Sequence, residues 1–112
     1  MAEKRFATRR GKRIKLLFGV DAPTRMAFTE DITREGLFIR TPLVIKTGTH
    51  VKVELHSPEG PIKLVAQVRW GKKIPQQLLH TLKGGMGLKI IAFQAGEEIY
   101  ENLCTELYGA KE

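Results

Sequence analysis

His50-Val51-Lys52-Val53-Glu54-Leu55-His56, then Ser57-Pro58-Glu59-Gly60-Pro61, then Ile62-Lys63-Leu64-Val65-Ala66-Gln67-Val68-Arg69-Trp70, is the clearest pattern in the chain. Val51, Val53 and Leu55 alternate with polar residues, which is a strand with one wet face. The Pro/Gly stretch reads as a hairpin loop. Beyond it, Ile62, Leu64, Ala66, Val68 and Trp70 share one face of a long strand, with Lys63, Gln67 and Arg69 opposite. A hairpin of this kind buries one face only, so other strands must cover it.

The rest of the chain supplies them. Downstream, Gly85-Met86-Gly87 opens a strand through Phe93, with Met86, Leu88, Ile90 and Ala92 on one side. Upstream, Ile14, Leu16 and Phe18 alternate in a first strand that ends at Gly19-Val20-Asp21-Ala22-Pro23. Met26 and Phe28 are expected on the inner face of the second, and Leu37 and Ile39 on that of the third, which stops at Pro42. Six strands with short turns predict an all-β fold, an antiparallel barrel or sandwich.

Two segments depart from strand periodicity. In 71–84, Ile74, Leu78, Leu79 and Leu82 fall at helical spacing and Pro75 suits a first helical position, so a short helix is expected. From Glu97 to Tyr108, the apolar Ile99, Leu103, Cys104 and Leu107 form one stripe, and Glu97 and Glu98 favour the positive end of the helix dipole. Gly96 is its only available cap, so this helix needs to dock on the barrel or on a partner, and its stripe would also suit a homodimer. The expected organisation is a single domain: arm 1–12, barrel 13–95, helix 96–110.

Charge is concentrated at one end. Of the net +7, residues 3–15 carry +6, from seven basic residues (Lys4, Arg5, Arg9, Arg10, Lys12, Arg13, Lys15) and Glu3. Residues 1–12 lack apolar periodicity and read as an arm, disordered or loosely helical until something binds. A basic arm on a near-neutral body points to a phosphate-bearing partner met at one place. No apolar run reaches membrane-spanning length and Met1–Thr8 lacks a signal peptide's apolar region, so no membrane insertion is expected and the cytoplasm is the expected location. The lone Cys104 fits a reducing compartment and reads as a small buried side chain.

Catalytic patterns are missing, and the chain is expected not to be an enzyme. Ser57 sits in a Pro/Gly loop, and adjacent strand residues point to opposite faces, so its neighbour His56 does not make a serine–histidine pair with it. His50 and His56 are separated by roughly 20 Å of strand, too far to share a metal ion. Gly84-Gly85-Met86-Gly87 leads into a strand rather than a helix, which makes a turn or bulge the better reading than a phosphate loop. No catalytic residue, metal or cofactor is assigned.

Between the second and third strands lies Asp31-Ile32-Thr33-Arg34-Glu35-Gly36, a carboxylate, a hydroxyl and a glycine in a compact turn. The hydroxyl and carboxylate can brace the local backbone, and Gly36 permits either a positive φ or a close approach. In the arm, Arg5-Phe6-Ala7-Thr8-Arg9-Arg10 places two arginines four apart, and Asp31 follows Arg9 by 22 residues. A guanidinium fork meets guanine O6 and N7 together, or pairs bidentately with phosphate. A carboxylate can accept from guanine's opposite, N–H-bearing edge.

Taken in this order, Arg-x-x-x-Arg, Asp-x-Thr-x-x-Gly, Val68-Arg69-Trp70, Gly85-Met86-Gly87 and a C-terminal helix resemble the PilZ domain family of bacterial cyclic di-GMP receptors. The resemblance covers nearly the whole chain and implies a six-stranded barrel that binds cyclic di-GMP, through Arg5, Arg9 and Arg10 from the arm and Asp31, Thr33 and Gly36 on the barrel. It also implies signalling to a protein effector. Thr33 stands where the family prefers serine. Lys4, in a position where a basic residue accompanies binding of a stacked ligand dimer, leaves monomer or dimer open. Trp70 shares a face with core residues, so packing is its first reading and base stacking its second. Two rival readings are a small all-β nucleic-acid-binding module and a PilZ-like adaptor that binds no nucleotide. Against nucleic acid, Phe6, Phe18, Phe28, Phe38, Phe93 and Trp70 form no evident exposed platform on one strand pair.

Overall fold

A computed structural model describes residues 13–72 and 84–108. The elements are β1 (Lys15–Gly19), β2 (Arg25–Ile32), β3 (Gly36–Arg40), β4 (His50–Ser57), β5 (Gly60–Lys72), β6 (Gly85–Ala95) and α1 (Glu97–Tyr108). The strands close into an antiparallel barrel in the order β1-β2-β3-β6-β5-β4. Closure leaves no edge strand exposed, and this decides barrel over sandwich. The expected helix within 71–84 and the arm at 1–12 fall outside the described residues, apart from Gly71, Lys72 and Gly84; the first two end β5.

The central hairpin behaves as its alternation dictates. Val51 pairs with Ala66, Val53 with Leu64 and Leu55 with Ile62, and all six side chains are buried. Its turn is short: Ser57 pairs with Gly60, the Ser57 hydroxyl donates to the Gly60 carbonyl at 2.7 Å, and Gly60 has φ +140°. Leu16, Phe18, Leu37, Ile39, Met86 and Leu88 complete the barrel interior. A barrel this narrow is filled by side chains and has no lumen.

Strand β2 departs from the expected pattern. Its inner face carries Ala27 and Thr29, while Met26 is 59% exposed and Phe28 lies half-buried on the outer wall. The cause is a register shift between Thr29 and Asp31 against β3. An uninterrupted alternation running back from the buried Ile32 would put Phe28 and Met26 inside; one extra residue inverts the parity. Outside, Phe28 is covered by the Arg13 guanidinium, 4.4 Å from the ring centroid. Inside, the buried Thr29 hydroxyl accepts the Ile14 amide at 2.9 Å, and the Thr29 amide donates to the Ile14 carbonyl at 3.0 Å.

Helix α1 closes one end of the barrel. Tyr100, Leu103 and Cys104 are buried, with Ile99 and Leu107 packed at the margin. The Tyr100 and Phe93 rings meet at 5.3 Å. The apolar stripe is therefore used within the chain, fully at Leu103 and Cys104 and in part at Ile99 and Leu107. Gly96 precedes the helix with φ +80°, and its carbonyl accepts the Tyr100 amide at 3.0 Å. Among the described residues no helix is long and apolar enough to cross a membrane.

Candidate functional site

The Thr33 side chain braces the turn after β2 from within. The Thr33 hydroxyl accepts the amides of Glu35 and Gly36 at 3.2 and 3.1 Å, and the Thr33 amide donates to the Gly36 carbonyl at 2.9 Å. Both acceptor directions of the hydroxyl are thereby occupied. Its proton is directed weakly at the Gly36 carbonyl, 3.3 Å away, and is what the group has left to offer a ligand. The Thr33 hydroxyl thus supplies bracing of the kind expected of this sequence.

Gly36 resolves between its two expected roles in favour of close approach. It is absent from the positive-φ glycines, and a Cβ there would overlap the Leu88 carbonyl of β6. Gly36 thus lets β3 and β6 pair, in the register Gly36 to Lys89 and Phe38 to Gly87. That pairing brings the turn beside the outer face of β6.

Trp70 is not a core residue. A register shift between Val68 and Trp70 against β6 carries the indole out of the barrel, to 49% exposure. It stacks on Phe38, with centroids 5.1 Å apart and planes inclined by 25°. A Cβ on Gly87 would overlap the indole, so the ring lies across Gly87 where a side chain would otherwise project. The bulge expected near the glycine run is present, on the strand facing it.

These elements enclose an open groove of about 710 Å³, lined by Asp31, Thr33, Glu35 and Gly36 from the turn, Leu37 and Phe38 from β3, Arg69 and Trp70 from β5, and Gly87, Leu88 and Lys89 from β6. That volume is in the range of small-molecule sites. Asp31 and Glu35 come from the turn, Arg69 from β5 and Lys89 from β6, where it pairs with Gly36; the Phe38–Trp70 stack lies across Gly87 on the same wall. Asp31, Thr33, Gly36 and Trp70, anticipated from sequence, all line it. Lys4, Arg5, Arg9 and Arg10 lie outside the described residues. Phe38, Arg69 and Lys89 were not anticipated. Phe38 had a usable signal, an aromatic on the polar phase of β3 between Leu37 and Ile39; Arg69 and Lys89 looked like ordinary solvated strand residues. Among the described residues no three His, Cys, Asp or Glu side chains cluster closely enough to hold a metal ion.

A family model, the PilZ domain, matches residues 3–104. The chain belongs to the PilZ domain family. The barrel with its C-terminal helix is the PilZ fold, and PilZ domains are binding and adaptor domains of the cyclic di-GMP type rather than enzymes. Among solved structures, the Bacillus subtilis inhibitor of motility (MotI/DgrA) is similar in fold, at 17% identity and a TM-score of 0.67. The match covers 85% of this chain and 46% of that one, so this PilZ chain spans about half the length of the neighbour. No curated protein sequence matches.

Proposed function

We propose that this PilZ domain is a cyclic di-GMP receptor whose basic arm closes over the groove and thereby changes how a protein effector is met. The observation that carries the reading is the groove itself, which joins the Asp31–Gly36 turn to an exposed Trp70 stacked on a half-buried Phe38 and to two cations. A guanine plane laid on Trp70 keeps its edges toward polar groups. Asp31 accepts from the N–H edge, the Thr33 proton serves a ligand oxygen, and Arg69 and Lys89 face phosphate.

The course of the chain supports a role for the arm. Lys15 pairs with Phe28 and Ile14 is bonded to Thr29. Followed toward its N-terminus, the described chain therefore runs along β2 toward Asp31. Arg9 is four residues from Arg13, a span of roughly 14 Å when extended, and in this proposal Arg9, Arg10 and Arg5 meet the ligand from that side. The boundaries 1–12, 13–95 and 96–110 then separate clasp, binding wall and end cap. A cytoplasmic setting, where a nucleotide messenger would be met, belongs to the same proposal.

Calorimetry with cyclic di-GMP, GTP and single-stranded RNA at fixed salt tests it, together with the emission of Trp70, the chain's single tryptophan. The expected result is micromolar or tighter binding of cyclic di-GMP alone, with the emission changed. Arg5→Ala or Arg9→Ala should remove most of that binding and leave the Tm of the free protein nearly unchanged. Steeply salt-dependent binding of any polyanion would favour the nucleic-acid module instead. Absence of binding by all three would leave the nucleotide-free adaptor.

A further inference from the structure

The candidate ligand turn is fastened from below by helix α1. The Tyr100 hydroxyl donates to the Thr33 carbonyl at 2.6 Å and lies 3.3 Å from the Gly36 carbonyl. It thus reaches both ends of the turn at once, from a residue more than 60 positions away in sequence. Tyr100 is 2% exposed, and its ring is held against Phe93. A buried phenol needs a partner for its O–H, and the turn supplies one. Beside it, Arg34 at the turn's apex pairs with Glu101 of α1 at 3.1 Å. This second link is solvent-exposed and correspondingly weak.

We propose that Tyr100 is a positioning residue for the ligand turn, and that its hydroxyl couples groove occupancy to the docking of α1. The proposal rests on the cyclic di-GMP reading for its ligand. Thr33 shapes the turn through two amides, yet those bonds are internal to it and do not fix it against the barrel. Gly36, together with the Glu35 carbonyl that accepts the Ile90 amide at 2.8 Å, fixes one end through β6. Tyr100 fixes the other, at the Thr33 carbonyl. A ligand that requires the turn in this shape binds more tightly when α1 is docked, and by reciprocity holds α1 down when bound. Helix α1 becomes the element that reports occupancy on the far side of the turn from the groove.

Tyr100→Phe tests this, because it deletes the hydroxyl and keeps the ring. In the free protein, the Glu35 and Gly36 amides should exchange at least tenfold faster, while those of the β4–β5 hairpin change less than twofold. Affinity for cyclic di-GMP should fall about fivefold, which is about 1 kcal/mol at 1.4 kcal/mol per tenfold. In the unsubstituted protein, the ligand should slow exchange in α1, and in Tyr100→Phe that slowing should be lost. Unchanged exchange in the turn, uniform acceleration across the barrel, or equal affinity of the two proteins would each overturn the proposal. If the unsubstituted protein does not bind cyclic di-GMP, the receptor reading fails. The coupling of turn to helix is then decided by the free-protein exchange alone.

Discussion

At Gly87, the volume a side chain would take is occupied by the Trp70 indole, which in turn stacks on Phe38. Gly87→Ala should therefore push the ring off its seat. Because the obstructing group is an exposed side chain and not backbone, the cost in stability should stay below about 1 kcal/mol. Trp70 emission should shift toward that of a solvated indole, and affinity for cyclic di-GMP should fall about tenfold, within the contribution of one stacked base. Equal emission and affinity in the variant would remove Trp70 from the site. Alternation along β5 assigns Trp70 to the core with Val68, and that is the one face assignment in the strand that fails. A single extra residue opposite Gly87 turns the indole outward. Bulges of this kind depend on what the neighbouring strand can admit, which adjacent residues in the sequence do not encode.

Among elements, the junction of β6 and α1 is tightly constrained. Gly96 has φ +80°, and a Cβ there would lie 2.7 Å from the Pro61 carbonyl oxygen and 2.9 Å from the Ile62 Cα. Both are backbone atoms of β5 that cannot swing aside. Gly96→Ala should cost about 2 kcal/mol or more, from the left-handed backbone plus the overlap. Gly48 provides the contrast: its φ is +95° and nothing lies within 4 Å of an added Cβ. Gly48→Ala should cost only the backbone term, about 1 kcal/mol. Urea midpoints at unchanged m-value would measure the difference, and equal losses at the two positions would contradict it. The helix itself is legible from its apolar spacing and its two leading glutamates. Tyr100, its most consequential side chain, is not, because it lies beside the aliphatic stripe and its partner is a turn distant in sequence.

For the molecule as a whole, closure of one end by α1 leaves a signature in pH. Burial, reinforced by Glu101 and opposed by Arg34, raises the Cys104 thiol from 9.0 to about 11. In the unfolded chain the thiol ionises first, so the folded state holds the extra proton between these values. Its contribution to stability is complete below pH 9 and is lost as pH rises toward 11. The Tm should fall over that interval more steeply than in Cys104→Ala, and parallel curves would refute the assignment. Composition and alternation alone establish an all-β chain with six strands, a terminal helix and a charge-dense arm, because burial of one strand face enforces a two-residue period that any reader of the sequence can follow. The turn Asp31–Gly36 is legible because the bonds from the Thr33 hydroxyl and amide that shape it are local. Only the tertiary structure decides that the barrel closes, that two bulges invert the faces of β2 and β5, and that Phe38, Trp70, Arg69 and Lys89 meet beside that turn. Those outcomes depend on register between strands remote in the chain, and register is set by how whole surfaces fit together.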